Sequence, residues 1–160
     1  MSEPLQDKIK RSLQATEGLY HRLVLLVGQS GSGKTAILCS VANELGTEII
    51  NINLALSAEL LELTAKQRAL RLPEIFGRIV EKAKPLVLLD NLEILFDKDL
   101  KQDPLRLLQG ISRNCMVLAS WNGTISGSKL LYAESGHPEY RNYDLADTLV
   151  VSMDGTASID

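Results

Sequence analysis

Gly28-Gln29-Ser30-Gly31-Ser32-Gly33-Lys34-Thr35 decides how this 160-residue chain is read. The run has the pattern G-x-x-x-x-G-K-T. An apolar stretch, Leu23-Val24-Leu25-Leu26-Val27, enters it, and a helical pattern over residues 34–45 leaves it. Strand, glycine-rich turn and helix, in that order, are the setting in which this pattern binds phosphate. Glycines reach backbone conformations closed to residues with a Cβ, so the chain can wrap an anion closely. Successive N–H groups then point inward as a nest. The helix that follows adds the partial positive charge of its first turn. Gly28, Gln29, Ser30, Gly31, Ser32, Gly33, Lys34, Thr35 and Ala36 are therefore the expected nucleotide-binding residues. Lys34 is expected to reach the β- and γ-phosphates of ATP, and the Thr35 hydroxyl to hold Mg²⁺.

Working outward, Leu86-Val87-Leu88-Leu89-Asp90 is an apolar run ending in an acid. A strand of this kind beside the loop would bring Asp90 to the metal, making Thr35 and Asp90 the expected Mg²⁺ ligands. Many ATPases with this arrangement place a glutamate directly after that aspartate, as base for the attacking water. Here the position is Asn91. An amide orients water but cannot take its proton, so Glu93 is the expected base if the chain turns there. Otherwise turnover is slow or depends on a partner. Asn122, or Ser120, at the end of the next apolar run is the expected sensor of the γ-phosphate; the competing reading of Asn122-Gly123 is a turn. Arg141, and after it Arg113, are the residues that could reach the nucleotide of a neighbouring copy, against a surface ion pair as the plainer role. Tyr20, just ahead of the first strand, is placed either for stacking on adenine or for packing.

The remaining pattern alternates strands and helices. Strands are expected over residues 23–27, 48–53, 86–90, 115–120 and 148–153. Helices are expected over 5–20, over 34–45 and from Asp103-Pro104 to about residue 112. Residues 57–84 read as three helical pieces, started by Ser57, by Thr64 with Gln67 and by Pro73. Residues 122–147, broken by Gly123, Gly127, Gly136 and Pro138, read as mostly irregular. Alternation of this kind predicts an α/β fold: a P-loop NTPase three-layer sandwich around a five-stranded, mostly parallel sheet. An AAA-like core without a C-terminal lid is expected. The expected organisation is an N-terminal helix over 1–20, a P-loop ATPase domain over 21–153 and a flexible tail over 154–160.

Composition bounds the function. The 45% hydrophobic and 23% charged fractions are those of an ordinary globular domain. With a net charge of −3 there is no basic field over the whole chain, so DNA contact is expected to be indirect or weak. Lys66, Arg68, Arg71, Arg78, Lys82 and Lys84, with acids interleaved, read first as a solvated face and second as a partner surface. No apolar run reaches membrane-spanning length, and residues 1–10 lack the apolar core of a signal peptide, so a cytoplasmic location is expected. Cys39 and Cys115 both lie in apolar stretches and are expected as buried thiols. There is no Asn-Lys-x-Asp run for reading guanine, which favours ATP.

Several later motifs carry a more specific resemblance. They are Asp90-Asn91-Leu92-Glu93-Ile94-Leu95-Phe96, Asp103-Pro104-Leu105-Arg106-Leu107-Leu108-Gln109 with Ser112-Arg113-Asn114, Ser120-Trp121-Asn122-Gly123, and Gly136-His137-Pro138-Glu139-Tyr140. Together, over about residues 20–144, they resemble the BrxF family of small P-loop ATPases from type 3 BREX phage-defence loci. The resemblance implies a role in bacterial anti-phage defence alongside other BREX proteins. Assembly of several copies is a separate expectation, from the AAA-like arrangement, in which the site often lies between copies. It supports Gly28 to Thr35 and Asp90 as the nucleotide site, and extends less directly to Glu93, Asn122, Arg113 and Arg141. Three alternatives are a nucleotide-gated binding module with little turnover, a DNA-handling loader ATPase and a small-molecule kinase. The scarcity of arginines after the fourth strand disfavours the kinase.

Overall fold

The first strand, β1 (Leu23–Gly28), is the axis of the molecule. In the computed structural model, which describes residues 4–132, 141–145, 148–153 and 157–159, this strand is buried over Leu23 to Val27. Parallel neighbours flank it on both sides, β4 (Met116–Ser126) and β7 (Leu149–Ser152). Beyond β4 lie β3 (Leu86–Asp90) and then β2 (Ile49–Asn51). With β8 (Ala157–Ile159) at the far edge, the order is β2-β3-β4-β1-β7-β8, in which the first five strands run parallel. Successive side chains of a strand face opposite ways, and both faces of this sheet are covered. Leu23, Leu25 and Val27 join one core with α3 (Ile52–Leu60), α4 (Ala65–Glu81) and α5 (Pro104–Ile111). Val24 and Leu26 join the other with Ile9 and Leu13 of α1 (Leu5–Ala15) and with Leu38 and Val41 of α2 (Lys34–Leu45). The α/β three-layer sandwich is therefore the observed fold, with five parallel strands in a sheet that antiparallel strands extend to eight among the described residues. The N-terminal helix is one of its covering layers.

Several local outcomes differ from the sequence pattern. The second strand is shorter than expected because Asn51 caps a helix: its side chain accepts the Leu54 N–H at 3.1 Å. The chain thus enters α3 at Ile52, well before Ser57.

The helix opened by Thr64 does not stop at Pro73. The capping box of Thr64 and Gln67 forms as expected, but α4 then runs unbroken through the proline. Pro73 lacks the N–H that would bond the carbonyl four residues back. That carbonyl, on Ala69, instead accepts from the Gln102 side chain at 2.9 Å. Arg68, expected on a solvated basic face, turns inward. Its Nε donates to the carbonyls of Leu60 and Leu63 at 2.9 and 3.0 Å, and a terminal nitrogen to that of Leu61 at 3.2 Å. It closes the orphaned end of α3.

The region expected to be irregular holds an antiparallel extension. β4 continues to Ser126 and pairs with β5 (Lys129–Tyr132), which pairs in turn with β6 (Arg141–Asp144). Gly127, at φ 61, opens the two-residue turn between β4 and β5, where a mirror-image hairpin turn calls for glycine. Read as a breaker, that glycine was in fact a hairpin signal between Ile125 and Leu130. At the other edge, Ala157–Ile159 (β8), within the segment expected as a loose tail, pairs antiparallel with β7. The expected Gly136–Tyr140 motif lies outside the described residues.

The cysteines also separate. Cys115 is buried, and burial raises its thiol pKa above the usual value. Cys39 is exposed, on the outer face of α2. No helix among the described residues is long and apolar enough to cross a membrane.

The link between Pro73 and Gln102 makes a test. Replacing Gln102 by alanine leaves a half-buried helical carbonyl unpaired, and is expected to cost about 1 kcal/mol in urea denaturation. In a Pro73→Ala background, where the helix supplies its own donor, the same change should cost less. Equal losses in both backgrounds would refute the pairing.

Candidate functional site

The glycine-rich loop sits at the carboxyl end of β1, and the backbone shows why those positions need glycine. Gly31 and Gly33 have φ of 82° and 97°, in the left-handed region. Gly28 is constrained by space: a Cβ there would lie 2.5 Å from Met153 Cγ and 2.6 Å from Ser32 Oγ. From Gly33 the chain passes directly into α2, whose first residue is Lys34. Lys34 is 6% exposed, and its ammonium donates to the carbonyls of Gly28 and Gln29, both at 2.8 Å. It is thus held at the mouth of the loop.

Beside it, Thr35 Oγ1 donates to Asp90 Oδ2 at 2.7 Å. Ser120 Oγ donates to the other oxygen, Oδ1, also at 2.7 Å. Asp90 ends β3 and is 5% exposed. Its two hydroxyl partners supply the hydrogen bonds that a buried carboxylate requires. Thr35 and Asp90 form a small all-oxygen donor set. That suits Mg²⁺, which keeps several waters and binds through one or two carboxylates together with substrate phosphates. Among the described residues no group of three His, Cys, Asp or Glu side chains could cage a metal on its own.

After Asp90 the chain turns sharply. Asn91 adopts φ 55, a conformation that asparagine tolerates better than most side chains. Its carbonyl accepts the Asn53 N–H at 2.9 Å. The following 3₁₀ turn, Glu93–Phe96, returns Glu93 to the loop. One carboxylate oxygen, Oε2, accepts from Asn53 Nδ2 at 2.8 Å, and Oε1 from Asn122 Nδ2 at 3.0 Å. Asn53 also accepts the Ile94 N–H at 2.8 Å. Gly31, Gly33, Thr35, Asp90, Glu93 and Asn122 all line one cavity of about 330 Å³. Ser120 and Asn122 are two apart on β4 and so share a face, which lets one hold Asp90 and the other Glu93.

Trp121, between them, faces the other way. Its ring meets Phe96 edge-on with centroids 5.2 Å apart, and Phe96 stacks on Tyr132 of β5 at 3.5 Å with planes 7° apart. Trp121 Nε1 donates to the Leu131 carbonyl at 3.2 Å. The antiparallel extension is thereby packed under the turn that carries Glu93.

Two expected residues do not join this site in their own copy. Tyr20 and Arg113 precede β1 and β4 and so lie together at the amino ends of those parallel strands. The loop leaves the carboxyl end, a strand length of about 17 Å away. The Arg113 guanidinium instead lies over the Tyr20 ring, 4.6 Å from its centroid, and Tyr20 is 60% exposed. Of Arg141 the backbone is described. It stands on β6 opposite Tyr132, which is itself opposite Gly123. This puts it on the extension, about 10 Å across the strands from Gly123. Asn53 was not legible as a site residue, since it read as the end of a strand. Its signal was the Asn51-Ile52-Asn53 run, polar residues at the tip of a strand next to β3.

Removing the ring of Phe96 tests the support beneath Glu93. Phe96→Ala is expected to cost about 3 kcal/mol or more in urea denaturation, the range of a buried aromatic cut to alanine. A loss under 1 kcal/mol would mean that the stack carries little of this packing.

Comparison with known proteins supplies the family. The model for the ATPase family associated with various cellular activities (AAA) matches residues 24–120, from β1 through Ser120. Among solved structures, one titled "Structure of C. elegans PCH-2" is similar at 19% identity with a TM-score of 0.45. The match covers 76% of this chain and 38% of that one. The chain thus spans well under half the length of that protein. No curated protein sequence matches the chain. The AAA family model covers more than half of these residues, including the phosphate loop and the Asp90 strand, and the chain belongs to the AAA family of ATPases.

Proposed function

We propose that this AAA domain binds ATP together with Mg²⁺ at residues 28–36 and Asp90, and hydrolyses it with Glu93 as the general base. The observation that carries the reading is the convergence of Lys34, Thr35, Asp90 and Glu93 on one cavity, with Thr35 and Asp90 joined at 2.7 Å. The loop amides and Lys34 bind and orient the phosphates. Thr35 and Asp90 would hold Mg²⁺, which would supply charge neutralisation for the phosphates. Glu93 accepts a proton from the attacking water, and Asn53 and Asn122 fix where its carboxylate points. Ser120 holds Asp90 in place and so acts through it.

A second reading has its own support. Both Glu93 oxygens are engaged by amides, and Asn91 occupies the position directly after Asp90. A base held in this way turns over slowly until something draws Asn53 or Asn122 away. The domain would then work mainly as a nucleotide-gated binding module. The biological setting we propose is bacterial anti-phage defence in the cytoplasm, with BREX partner proteins. The motif resemblance over residues 20–144 supports it. Assembly of copies, with Arg141 reaching a neighbour's nucleotide, belongs to the same proposal.

Two variants separate these steps. Lys34→Ala is expected to abolish ATP binding in a calorimetric titration; unchanged affinity would remove the loop from the site. Glu93→Gln should keep ATP affinity within about twofold while lowering single-turnover hydrolysis by about a hundredfold. Undiminished hydrolysis in that variant would exclude Glu93 as the base. A wild-type rate no faster than hydrolysis of ATP without protein would favour the binding module.

A further inference from the structure

Tyr20 and Arg113 take no part in the nucleotide site of their own copy, yet the fold brings them together at the amino ends of the strands. The Tyr20 ring is 60% exposed. The Arg113 guanidinium covers one of its faces, and His21 meets the ring edge-on with centroids 4.8 Å apart. Two neighbours thus fix the ring while much of its surface stays in water. Arg22 adds a second guanidinium. Its side chain donates to the Arg113 carbonyl at 2.9 Å, and its backbone N–H donates to the Ser112 carbonyl at 3.0 Å. These bonds fasten the segment ahead of β1 to the turn after α5, so Tyr20, Arg22 and Arg113 are presented as one unit.

Charge gathers at the same place. Neither Arg22 nor Arg113 enters an ion pair among the described residues. Burial raises the Cys115 thiol pKa, and the charges of Lys84 and Arg22 oppose that rise, so both lie close to Cys115, just ahead of β4. Of these cations Lys84 alone has a carboxylate partner, Glu81 at 2.7 Å. Lys84, Arg113 and Arg22 precede β3, β4 and β1, which are consecutive in the sheet. They therefore form a row about 10 Å across at the usual strand spacing. The chain as a whole carries a net charge of −3, so this row is a local concentration against an acidic background. Neighbouring like charges repel, and a bound anion relieves the repulsion.

We infer that this face binds single-stranded nucleic acid, with a base stacked on the side of Tyr20 that Arg113 leaves open and phosphates on Arg113 and Arg22. The chemistry selects that partner. A guanidinium offers a planar fork of donors that fits phosphate oxygens, and it also stacks on aromatic rings. An exposed ring beside such a fork serves an unpaired base, since every base has a flat face. A duplex keeps its bases within its own stack and gains nothing from the ring. An acidic peptide would meet the arginines and leave the ring in water. The face lies a strand length from the phosphate loop, so a strand and a nucleotide can be held at once. The inference does not depend on the nucleotide reading.

The test titrates the full chain into fluorescein-labelled oligothymidylate and oligouridylate of about 16 nucleotides, from about 50 mM salt upward, with anisotropy as the readout. At least one strand should bind, with an affinity that falls steeply as salt rises, and the tighter of the two tells DNA from RNA. Tyr20→Leu should weaken binding by about tenfold, while Tyr20→Phe, which keeps the ring, should stay within about twofold. Arg113→Gln should weaken it as well and lower the slope of log affinity against log salt by about 0.7 to 1. Tyr20 and Arg113 are exposed, so these variants should keep the wild-type thermal unfolding. Lys34→Ala should bind the strand as wild type does. The inference is overturned if neither strand binds at the lowest salt, or if Tyr20→Leu binds as tightly as wild type. It is also overturned if a duplex of the same length, or polyglutamate of matched charge, competes as well as the strand. Loss of strand binding in Lys34→Ala would place the strand at the phosphate loop and end the inference in the same way.

Discussion

The carboxylate of Asp90 is the group on which the rest of the structure depends. It is nearly withdrawn from water, and a buried carboxylate is tolerated only when its oxygens are hydrogen-bonded. Thr35, from the first turn of α2, satisfies one oxygen, and Ser120, from β4, satisfies the other. Three elements distant in sequence are thereby fastened at one point: the helix that follows the loop, the strand that bears the acid, and the strand that separates β3 from β1. The parallel register makes this geometry available. β3 and β4 end beside the loop because β1 lies next to β4, so residues at their tips meet without any strain beyond the turn at Asn91.

A second group of contacts links chemistry to architecture. Glu93 stands on a short turn whose far end is Phe96, and Phe96 is stacked on Tyr132 and abutted by Trp121. Tyr143 of β6 meets the same indole edge-on, with centroids 5.3 Å apart. Edge-on aromatic contacts of this kind add directional preference to buried area. The antiparallel extension is therefore more than an appendage. It lies beneath the turn that aims Glu93, and its first strand also bears Ser120 and Asn122. Gly123 marks how tightly the two are joined, because a Cβ there would come within 1.8 Å of the Leu131 carbonyl.

The cost of this compactness is visible in the outer helices, where irregularities are mended from a distance. Gln102 takes up the carbonyl released by Pro73, and Arg68 closes the end of α3. Both are polar side chains that would pass for surface residues in the sequence. Each instead satisfies backbone groups that the local chain cannot satisfy alone. Arg68 in particular shows why a run of basic residues is a poor guide to a binding face.

What was legible in the sequence followed from local rules. The alternation of apolar runs with helical periods specified a parallel α/β sandwich, because a strand buried on both faces has to be apolar throughout. The loop's spacing placed Lys34 and Thr35, since backbone chemistry links glycines to the helix that follows. The ends of β3 and β7 lay within a residue of expectation for the same reason. Only the tertiary structure decided the partners. Asn53, in the first turn of α3, and Asn122, on β4, reach Glu93 from places far apart in the chain, and nothing local to either asparagine encodes that meeting. The aromatic stack from Phe96 to Tyr132 depends on a hairpin whose turn glycine read as a break. Tyr20, placed for adenine stacking or packing by its position ahead of β1, lies with Arg113 at the amino ends of their strands, and parallel strands have two ends. The loop grows from one end and these two residues from the other, and which end a side chain occupies in space is settled when the sheet assembles.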